Sequence, residues 1–357
     1  MFYLTLAICF FATILLTPLV KKLAFLIGAT DKPNQRKVHS RIMPRLGGLA
    51  IFLSFLIGVL ISKPAGVPYG EFHYSIVIGS IIILLTGMLD DVKEISPKLK
   101  LAGQIAAAAV VVIYGGLKVE FINLPFGGII DFGYLSIPIT MIWIIGITNA
   151  INLIDGLDGL AGGVSSIALF SIAGMSMIMG NQYVTMIALI VAASTLGFLV
   201  FNFHPAKIFM GDTGALFLGY IIAVLSLLGY KNVTFISLII PVIILGVPIS
   251  DTFFAIIRRL VNKQPLSAPD KSHLHHCLLK IGFTHRQTVL LIYAMAALFG
   301  LAAFVFSQST VWGSITVILA LLITIELVVE SIGLIREDYK PLLNFIKGLM
   351  PVNVKNR

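Results

Sequence analysis

The chain has 357 residues, of which 58% are hydrophobic and 11% charged, and its mean hydropathy is +1.01. This composition excludes a soluble globular protein, because a soluble surface does not tolerate so much apolar area. The formal net charge is +9, but the basic residues are spread over several loops. We therefore expect membrane lipid and a phosphorylated substrate as partners, and no nucleic acid.

Eleven apolar segments are long enough to cross a bilayer, which takes about 20 helical residues. They lie at 2–20, 46–62, 74–90, 98–115, 134–149, 159–179, 184–202, 213–229, 234–256, 288–306 and 312–335. Alternate loops hold 22 of the 25 Lys and Arg residues, which leaves Lys63, Lys118 and Lys231 on the other side. The positive-inside rule then predicts an all-α polytopic membrane protein with its N-terminus outside and its C-terminus in the cytoplasm.

The connecting segments are short, so we expect a single membrane domain over residues 1–357. Its cytoplasmic loops lie near 21–45, 90–100, 149–160, 203–213 and 257–287. No basic residue precedes the first segment, and Lys21 and Lys22 follow it directly, which favours a retained anchor over a cleaved signal peptide. Residues 123–133 contain a Pro and paired glycines and predict a small hairpin on the outer side.

Two adjacent carboxylates, Asp90 and Asp91, end the third segment in the sequence MLDDVKE. Their mutual repulsion is costly unless a cation or a shared proton relieves it. The alternative is a solvated helix end with Lys93 and Lys98 as neighbours.

The loop after the fifth segment reads NAINLIDGLDGLAGG and carries four polar residues at spacings of three: Asn149, Asn152, Asp155 and Asp158. Gly156 and Gly159 predict a broken, turning backbone that gathers these side chains around one ligand. A capping cluster for the sixth segment is the alternative reading, and Asp158 alone could supply that cap.

Asp212, in FMGDTGALFLG, precedes the eighth segment and is either an N-cap or a metal ligand. It shares the cytoplasmic face with the other four aspartates. Mg²⁺ takes one or two protein carboxylates and completes its shell with water and substrate phosphate, so this distribution favours a magnesium site.

The longest inside loop, which we call the histidine loop, carries Arg258, Arg259, Asp270, Lys271, His273, His275 and His276. Only Cys277 has a spacing that suits zinc together with these histidines, so a zinc site is the weaker interpretation. We favour donation of hydrogen bonds and charge to phosphate oxygens.

Three acidic residues within the spans have open interpretations. Asp251 lies near Pro248 and is either structural or a support for the site, whereas Glu326 and Glu330 lie one turn apart in the last segment. We read the two glutamates as a helix-packing or oligomer feature, which leaves a homodimer open. An ion-coupled transporter would favour acids near mid-span and an internal repeat. Here the key aspartates lie at the cytosolic ends of the spans and no repeat is apparent, so a transporter is a remote alternative.

Five motifs occur in a fixed order along the chain: HSRIMPRLGG (39–48), LDDVKEISPKLKL (89–101), NAINLIDGLDGLAGG (149–163), FMGDTGALFLG (209–219) and DKSHLHH (270–276). Together they resemble the polyprenyl-phosphate N-acetylhexosamine-1-phosphate transferases, which are related to the phospho-MurNAc-pentapeptide translocase. The resemblance implies transfer of GlcNAc-1-phosphate from UDP-GlcNAc to undecaprenyl phosphate, with release of UMP. It also implies the bacterial plasma membrane, a cytoplasmic active site, and the first membrane step of teichoic acid or surface polysaccharide synthesis.

The resemblance also implies roles for individual residues. Asp212 looks like the ligand of Mg²⁺, for which Mn²⁺ is a substitute, and Asp91 is a second candidate ligand. Asp90 looks like the group that orients the lipid phosphate or takes its proton, with Asp91 as its partner. The substrate-binding candidates are Arg45, Asn149, Asn152, Asp155, Asp158, Phe209, Arg258, Arg259 and His273.

Two of these motifs bear on the donor. Phe209 matches an aromatic residue on which uracil stacks, a contact worth about 1–3 kcal/mol per base. His275 and His276 are the catalytic candidates of the histidine loop, which matches the N-acetylhexosamine branch. Leu274 and Cys277 depart from the translocase pattern, which argues against the alternative, a muramyl-pentapeptide donor. UDP-GalNAc differs from UDP-GlcNAc at one hydroxyl and is not excluded.

Overall fold

The computed structural model describes residues 2–31, 42–62, 70–123, 128–229, 235–265, 272–334 and 339–349. Fourteen α-helices occur in these ranges. They are α1 Phe2–Ile27, α2 Gly47–Ser62, α3 Glu71–Lys93, α4 Pro97–Ala109, α5 Ser136–Ile154, α6 Leu160–Ile178, α7 Gln182–Asn202, α8 Gly211–Leu228, α9 Phe235–Ile244, α10 Gly246–Val261, α11 Leu274–Ile281, α12 His285–Gln308, α13 Val311–Ile332 and α14 Pro341–Leu349. A π-helical turn, Val110–Tyr114, continues α4.

Among the described residues, nine helices are long and apolar enough to cross a membrane: α1, α3, α4 with its π turn, α5, α6, α7, α8, α12 and α13. The prediction of a multi-pass helical membrane protein is therefore confirmed. α2 is apolar but shorter, and the predicted ninth span is divided into α9 and α10. The expected total of eleven spans depends on counting these two regions as crossings.

The ninth span breaks at Leu245, three residues before Pro248. Proline has no N–H to donate to the carbonyl four residues earlier, and its ring clashes with that carbonyl. Pro248 therefore fits the first turn of a new helix better than the interior of a continuous one. The predicted span is interrupted at this one residue, Leu245, between α9 and α10.

The end of α5 departs from the predicted boundary, because the helix continues to Ile154. Asn149 and Asn152 consequently lie on a regular helix, and the prediction of a broken backbone at these two residues was wrong. The turn begins at Asp155, next to Gly156, and Gly159 adopts a positive φ of 79°. Glycine tolerates this conformation without steric penalty, so the break falls where the glycines permit it.

α8 lies at the centre of the molecule, where it contacts α2, α3, α5, α6 and α7. Its side chains from Thr213 to Leu227 are buried. Because a helix surrounded on all sides buries apolar residues at every position, α8 has no polar face. Its first turn is thereby fixed against the ends of the neighbouring helices.

Two short hairpins join helices. β1 (Thr30–Asp31) pairs antiparallel with β2 (Met43–Pro44), and the next residue, Arg45, forms a parallel bridge with Phe209. β3 (Phe121–Asn123) pairs antiparallel with β4 (Ile129–Asp131). The second pair confirms the predicted hairpin, although its strand begins before residue 123.

The short helices α11 and α14 were not predicted. The fully buried carboxylate of Glu330 accepts hydrogen bonds of 2.7 Å from the backbone amides of Leu342 and Leu343, in the first turn of α14. A carboxylate at a helix N-terminus satisfies amides that have no partner within the helix. Glu330 is therefore a helix-packing group, which is one of its two predicted roles.

Candidate active site

Four polar side chains from the ends of four different helices meet at one point. Asp90 lies in the last turn of α3, Lys100 in the first turns of α4, Asn152 near the end of α5 and Asp212 in the first turn of α8. Lys100 Nζ is 3.4 Å from Asp90 Oδ2 and also forms an ion pair with Asp212 Oδ2. We call these four residues the aspartate–lysine cluster.

The side-chain amide of Asn152 joins the two charges of this cluster. Its nitrogen is assigned to face Asp212 Oδ1, at 3.2 Å, and its oxygen to face Lys100 Nζ, at 3.1 Å. The opposite orientation would set oxygen against oxygen and nitrogen against nitrogen. Lys100 was not among the predicted site residues, although it lies within the LDDVKEISPKLKL motif, ten residues after Asp90.

Asp91 has a different environment from Asp90. Its side chain is 2% exposed, whereas that of Asp90 is 19% exposed. Asp91 accepts hydrogen bonds from the backbone amides of Asp212 (3.0 Å) and Thr213 (2.9 Å) and from the Thr213 hydroxyl (2.5 Å). Both carboxylate oxygens thus accept hydrogen bonds from the first turn of α8, and Asp91 thereby positions the backbone of Asp212.

Gly211 permits this close approach. Its φ is +69°, and a Cβ there would lie 2.4 Å from Asp91 Oδ2. Any other residue would therefore be strained in its backbone and would collide with the carboxylate.

Arg45 is directed to the end of α3. Its Nε donates to the Asp91 carbonyl at 3.1 Å, and its terminal nitrogen lies 3.2 Å from Glu94 Oε1. Phe209, its bridge partner, donates its amide to the Pro44 carbonyl and accepts from the Gly47 amide. The half-buried Phe209 is therefore held beside the first turn of α8, and uracil stacking on its ring stays a prediction.

Asp155 follows α5 directly and is partly buried. Burial, followed by the charges of Asp91 and Asp158, raises the pKa of its carboxyl from 3.8 to about 7. Near neutral pH the group is therefore divided between its protonated and ionised forms, and a nearby cation would favour the ionised form.

Two predicted substrate-binding residues have protein partners. Asn149 exchanges side-chain hydrogen bonds of 2.8 and 3.1 Å with Gln104, which joins α5 to α4. Asp158 Oδ2 lies 2.9 Å from His204 Nδ1 and accepts from the Ala206 amide at 3.1 Å. The side chains of Asn149 and Asp158, which the sequence predicted to bind substrate, therefore form hydrogen bonds within the protein.

Asp251, on α10, anchors the histidine loop. Asp251 Oδ2 lies 2.8 Å from His273 Nδ1, and Oδ1 accepts from the Leu274 amide at 2.7 Å. Both side chains are buried. Asp251 therefore fixes His273 and the start of α11, which favours the supporting role over a purely structural one. Asp270, which belongs to the same motif, lies outside the described residues.

His275 packs against the turn that follows Asp155. A Cβ on Gly156 would lie 2.2 Å from His275 Nε2, so only glycine allows this contact. The ring is 98% buried, and neither nitrogen has a hydrogen-bond partner among the described residues. Burial, with a smaller contribution from His276, lowers the pKa of His275 to about 3. At neutral pH this histidine offers a ring N–H but no positive charge.

His276 is half-buried, and its ring centroid lies 4.2 Å from that of His275. It lines a cavity of about 480 Å³ together with Lys280 and Lys340. None of the five predicted aspartates lines this cavity. His276 thus faces a different space from the aspartate–lysine cluster.

The two arginines of α10 are buried. Arg258 donates to the Leu334 carbonyl at 2.9 Å, which connects α10 to the end of α13. Nε of Arg259 is buried and has no hydrogen-bond partner among the described residues. Arg258 therefore contributes to helix packing, and substrate binding by either arginine stays a prediction.

The aspartate–lysine cluster is suited to binding a polyphosphate together with a hard cation. Asp90, Asp212 and Asn152 direct oxygen atoms towards the position of one cationic group, the Lys100 ammonium. Carboxylate and amide oxygens are ligands that Mg²⁺ accepts, so these residues fit that ion. Lys100 adds a charge that phosphate oxygens recognise.

Comparisons with known proteins agree with this chemistry. The model of the family described as "Glycosyl transferase family 4" matches residues 73–230. These residues include the whole aspartate–lysine cluster. The chain is 49% identical over 342 residues to a Bacillus subtilis (strain 168) protein named "Probable undecaprenyl-phosphate N-acetylglucosaminyl 1-phosphate transferase", with 95% of this chain and 94% of the relative covered.

Two further relatives have names of the same kind. A Mycolicibacterium smegmatis decaprenyl-phosphate N-acetylglucosaminephosphotransferase is 35% identical, with 89% of this chain and 84% of the relative covered. An Escherichia coli (strain K12) undecaprenyl-phosphate alpha-N-acetylglucosaminyl 1-phosphate transferase is 29% identical, with 81% and 79% covered. The fold and site are those of a polytopic membrane transferase. The chain belongs to glycosyl transferase family 4, among the polyprenyl-phosphate N-acetylhexosamine-1-phosphate transferases.

Proposed function

We propose that this protein transfers N-acetylglucosamine-1-phosphate from UDP-GlcNAc to undecaprenyl phosphate, giving undecaprenyl-diphospho-GlcNAc and UMP. The observation that carries the proposal is the convergence of Asp90, Lys100, Asn152 and Asp212 at the ends of four helices. The names of relatives that align over most of the chain support the same substrates. In a bacterium, this reaction begins teichoic acid or surface polysaccharide synthesis at the plasma membrane.

The chemistry is a phosphoryl transfer between two anions. An oxygen of the lipid phosphate attacks the β-phosphorus of UDP-GlcNAc, a new P–O bond forms, and the bond to the α-phosphate oxygen breaks to release UMP. Lys100 offsets the charge on the bridging and leaving oxygens. Asp90, the more exposed of the adjacent aspartates, orients the lipid phosphate or accepts its proton.

We favour direct attack by the lipid phosphate over a phospho-aspartyl intermediate. The Asp90 carboxylate is paired with Lys100, and Asp91 is occupied by the amides of α8. A lipid phosphate is already a competent nucleophile, so an additional covalent step is not required.

Mg²⁺ is the proposed metal, with Mn²⁺ as a substitute. Asp212 and Asp90 would supply carboxylate oxygens, and Asn152 an amide oxygen. When bound, the ion offsets charge on the diphosphate of the donor. Asp91, the second predicted ligand, supports the site through the backbone of Asp212.

The proposed topology has the N-terminus outside, eleven crossings, and the aspartate–lysine cluster on the cytoplasmic face of a single membrane domain. The distribution of Lys and Arg along the chain supports this orientation. The cytosolic location suits a nucleotide donor that does not enter the bilayer. A homodimer stays a proposal, and light scattering in detergent tests it.

Donor choice separates the main function from its alternative, phospho-MurNAc-pentapeptide transfer. Purified protein would be incubated with undecaprenyl phosphate, Mg²⁺ and each donor, and UMP release and the mass of the lipid product would be measured. We expect product from UDP-GlcNAc and none from UDP-MurNAc-pentapeptide. Absence of turnover with UDP-GlcNAc, or equal turnover with the pentapeptide donor, contradicts the proposal, and UDP-GalNAc is included to define selectivity at the remaining hydroxyl.

A further inference from the structure

Asp158, His204 and His285 form a second cluster of metal-binding side chains. They come from the turn after α5, the connection between α7 and α8, and the first residue of α12. Each residue offers one ligand atom, and these three atoms lie within 4.8 Å of one another. The residues are far apart in sequence, so no local spacing indicates the cluster.

The local geometry leaves one nitrogen of this cluster without a partner. Asp158 Oδ2 lies 2.9 Å from His204 Nδ1, and the His204 and His285 rings stack with centroids 4.1 Å apart. Nε2 of His285 is buried and has no hydrogen-bond partner among the described residues. A buried polar atom without a partner is destabilising, and a bond to a metal ion would remove that cost.

Hydrogen bonds around the cluster fix the segments that carry it. The Ala206 amide donates to Asp158, Arg286 donates to the His204 carbonyl at 3.3 Å, and the Gly159 amide donates to Asn202 Oδ1 at 3.1 Å. His285 also interacts with the backbone of Asp158. Outer contacts of this kind orient ligand side chains in metal sites.

We propose that Asp158, His204 and His285 bind a divalent transition metal, for which Zn²⁺ is the best match. Two imidazole nitrogens and one carboxylate are a common zinc ligand set, and they leave a fourth position for water. This donor set is nitrogen-rich, unlike the oxygen donors of the aspartate–lysine cluster, which suit Mg²⁺. The two sites therefore select different ions.

The bound ion would fasten three segments together. Asp158 is three residues from Asp155 and two from Gly156, which contacts His275. A metal at Asp158 thus restrains the turn between the aspartate–lysine cluster and the histidine loop. The ion would hold this turn in position. Binding of the ion does not depend on the identity of the transferred sugar.

Metal binding is tested on the full-length protein in detergent, without substrates. The protein is stripped with a chelator, and Zn²⁺ binding is measured by competition with a chromogenic indicator, with Co²⁺ absorption as a spectroscopic probe. We expect one equivalent of tightly bound Zn²⁺ and a Co²⁺ spectrum with nitrogen ligation. His285→Gln and His204→Gln should each weaken Zn²⁺ binding at least tenfold, whereas the control His73→Gln should retain it.

Several results would overturn the proposal. The first is that the folded wild-type protein binds no Zn²⁺, and the second is that both cluster variants bind Zn²⁺ with unchanged affinity. The third is that substitution of His276, and not of His285, abolishes Zn²⁺ binding. Size-exclusion elution and the thermal midpoint of each stripped variant separate loss of the site from loss of the fold. If a variant does not fold, Co²⁺ spectra of the wild-type protein still decide whether histidine nitrogens ligate the ion. Transfer of GlcNAc-1-phosphate is assayed separately, so a negative result in that assay does not affect the measurement of Zn²⁺ binding.

Discussion

The carboxylate of Asp251 holds the His273 ring with one oxygen, at 2.8 Å, and the first amide of α11 with the other, at 2.7 Å. One buried side chain from α10 thus determines both the direction of an imidazole and the start of the helix that carries His275 and His276. An acid inside a predicted span is expected to be functional. Here it acts by positioning the histidine loop.

Asp251→Asn should disturb that loop. An asparagine presents only one acceptor oxygen, so either His273 or the Leu274 amide loses its partner, at a cost of about 1–3 kcal/mol. We expect kcat/KM for UDP-GlcNAc to fall about tenfold or more and the thermal midpoint to decrease. Ser250→Ala, at the neighbouring position, is the control, and equal kinetics of the two variants would refute a role for Asp251.

Lys100→Gln should abolish most turnover. The substitution removes the cation that pairs with Asp90 and Asp212 and that is proposed to bind the donor phosphates. We expect kcat/KM to decrease about 100-fold, which corresponds to about 2.7 kcal/mol of transition-state stabilisation. Lys98→Gln, an exposed position on the same helix, should retain activity. UMP release measures both variants, and similar rates would remove Lys100 from the site.

Asp91 and Asp212 should differ in what their substitution changes. Asp91→Ala leaves two backbone amides and the Thr213 hydroxyl without their acceptor, so we expect a loss of stability of about 1–3 kcal/mol. Asp212→Asn should keep the thermal midpoint and raise the Mg²⁺ concentration needed for activity. Thermal unfolding and Mg²⁺ titration of the two variants test this division. A stable Asp91→Ala protein would argue against the capping role.

His275 should make folding stability sensitive to acid. Burial lowers its pKa from 6.5 to about 3, so between these pH values the unfolded chain binds a proton that the folded protein does not. Stability attributable to His275 is complete above about pH 6.5 and is lost as the pH falls, at about 1.4 kcal/mol per unit.

The thermal midpoint of His275→Gln, measured from pH 7.5 to 5, should therefore fall less steeply than that of the wild-type protein. His276→Gln, which removes the half-buried neighbour, is the control. Parallel pH profiles for the wild-type protein and His275→Gln would show that the ring is accessible to protons in the folded state.

The sequence predicted the membrane segments well because hydropathy directly reports which stretches avoid water. It also identified Asp90, Asn152 and Asp212, which do meet. It could not separate Asp90 from Asp91, since their difference arises from the amides of α8, a helix more than one hundred residues later. Packing between residues 45 or more positions apart likewise determines the partners of Asn149 and Asp158. Local spacing along the chain contains no information about these contacts.

Asp90 lies in the last turn of α3, a helix long and apolar enough to cross the bilayer, and this position has a kinetic consequence. A lipid nucleophile arrives at such a residue by lateral diffusion within a surface and never by three-dimensional collision from water. Its effective concentration is therefore a mole fraction among neighbouring lipids, whereas that of the nucleotide donor is an ordinary molarity. Adding inert lipid or detergent therefore dilutes the lipid substrate and leaves the concentration of the nucleotide donor unchanged.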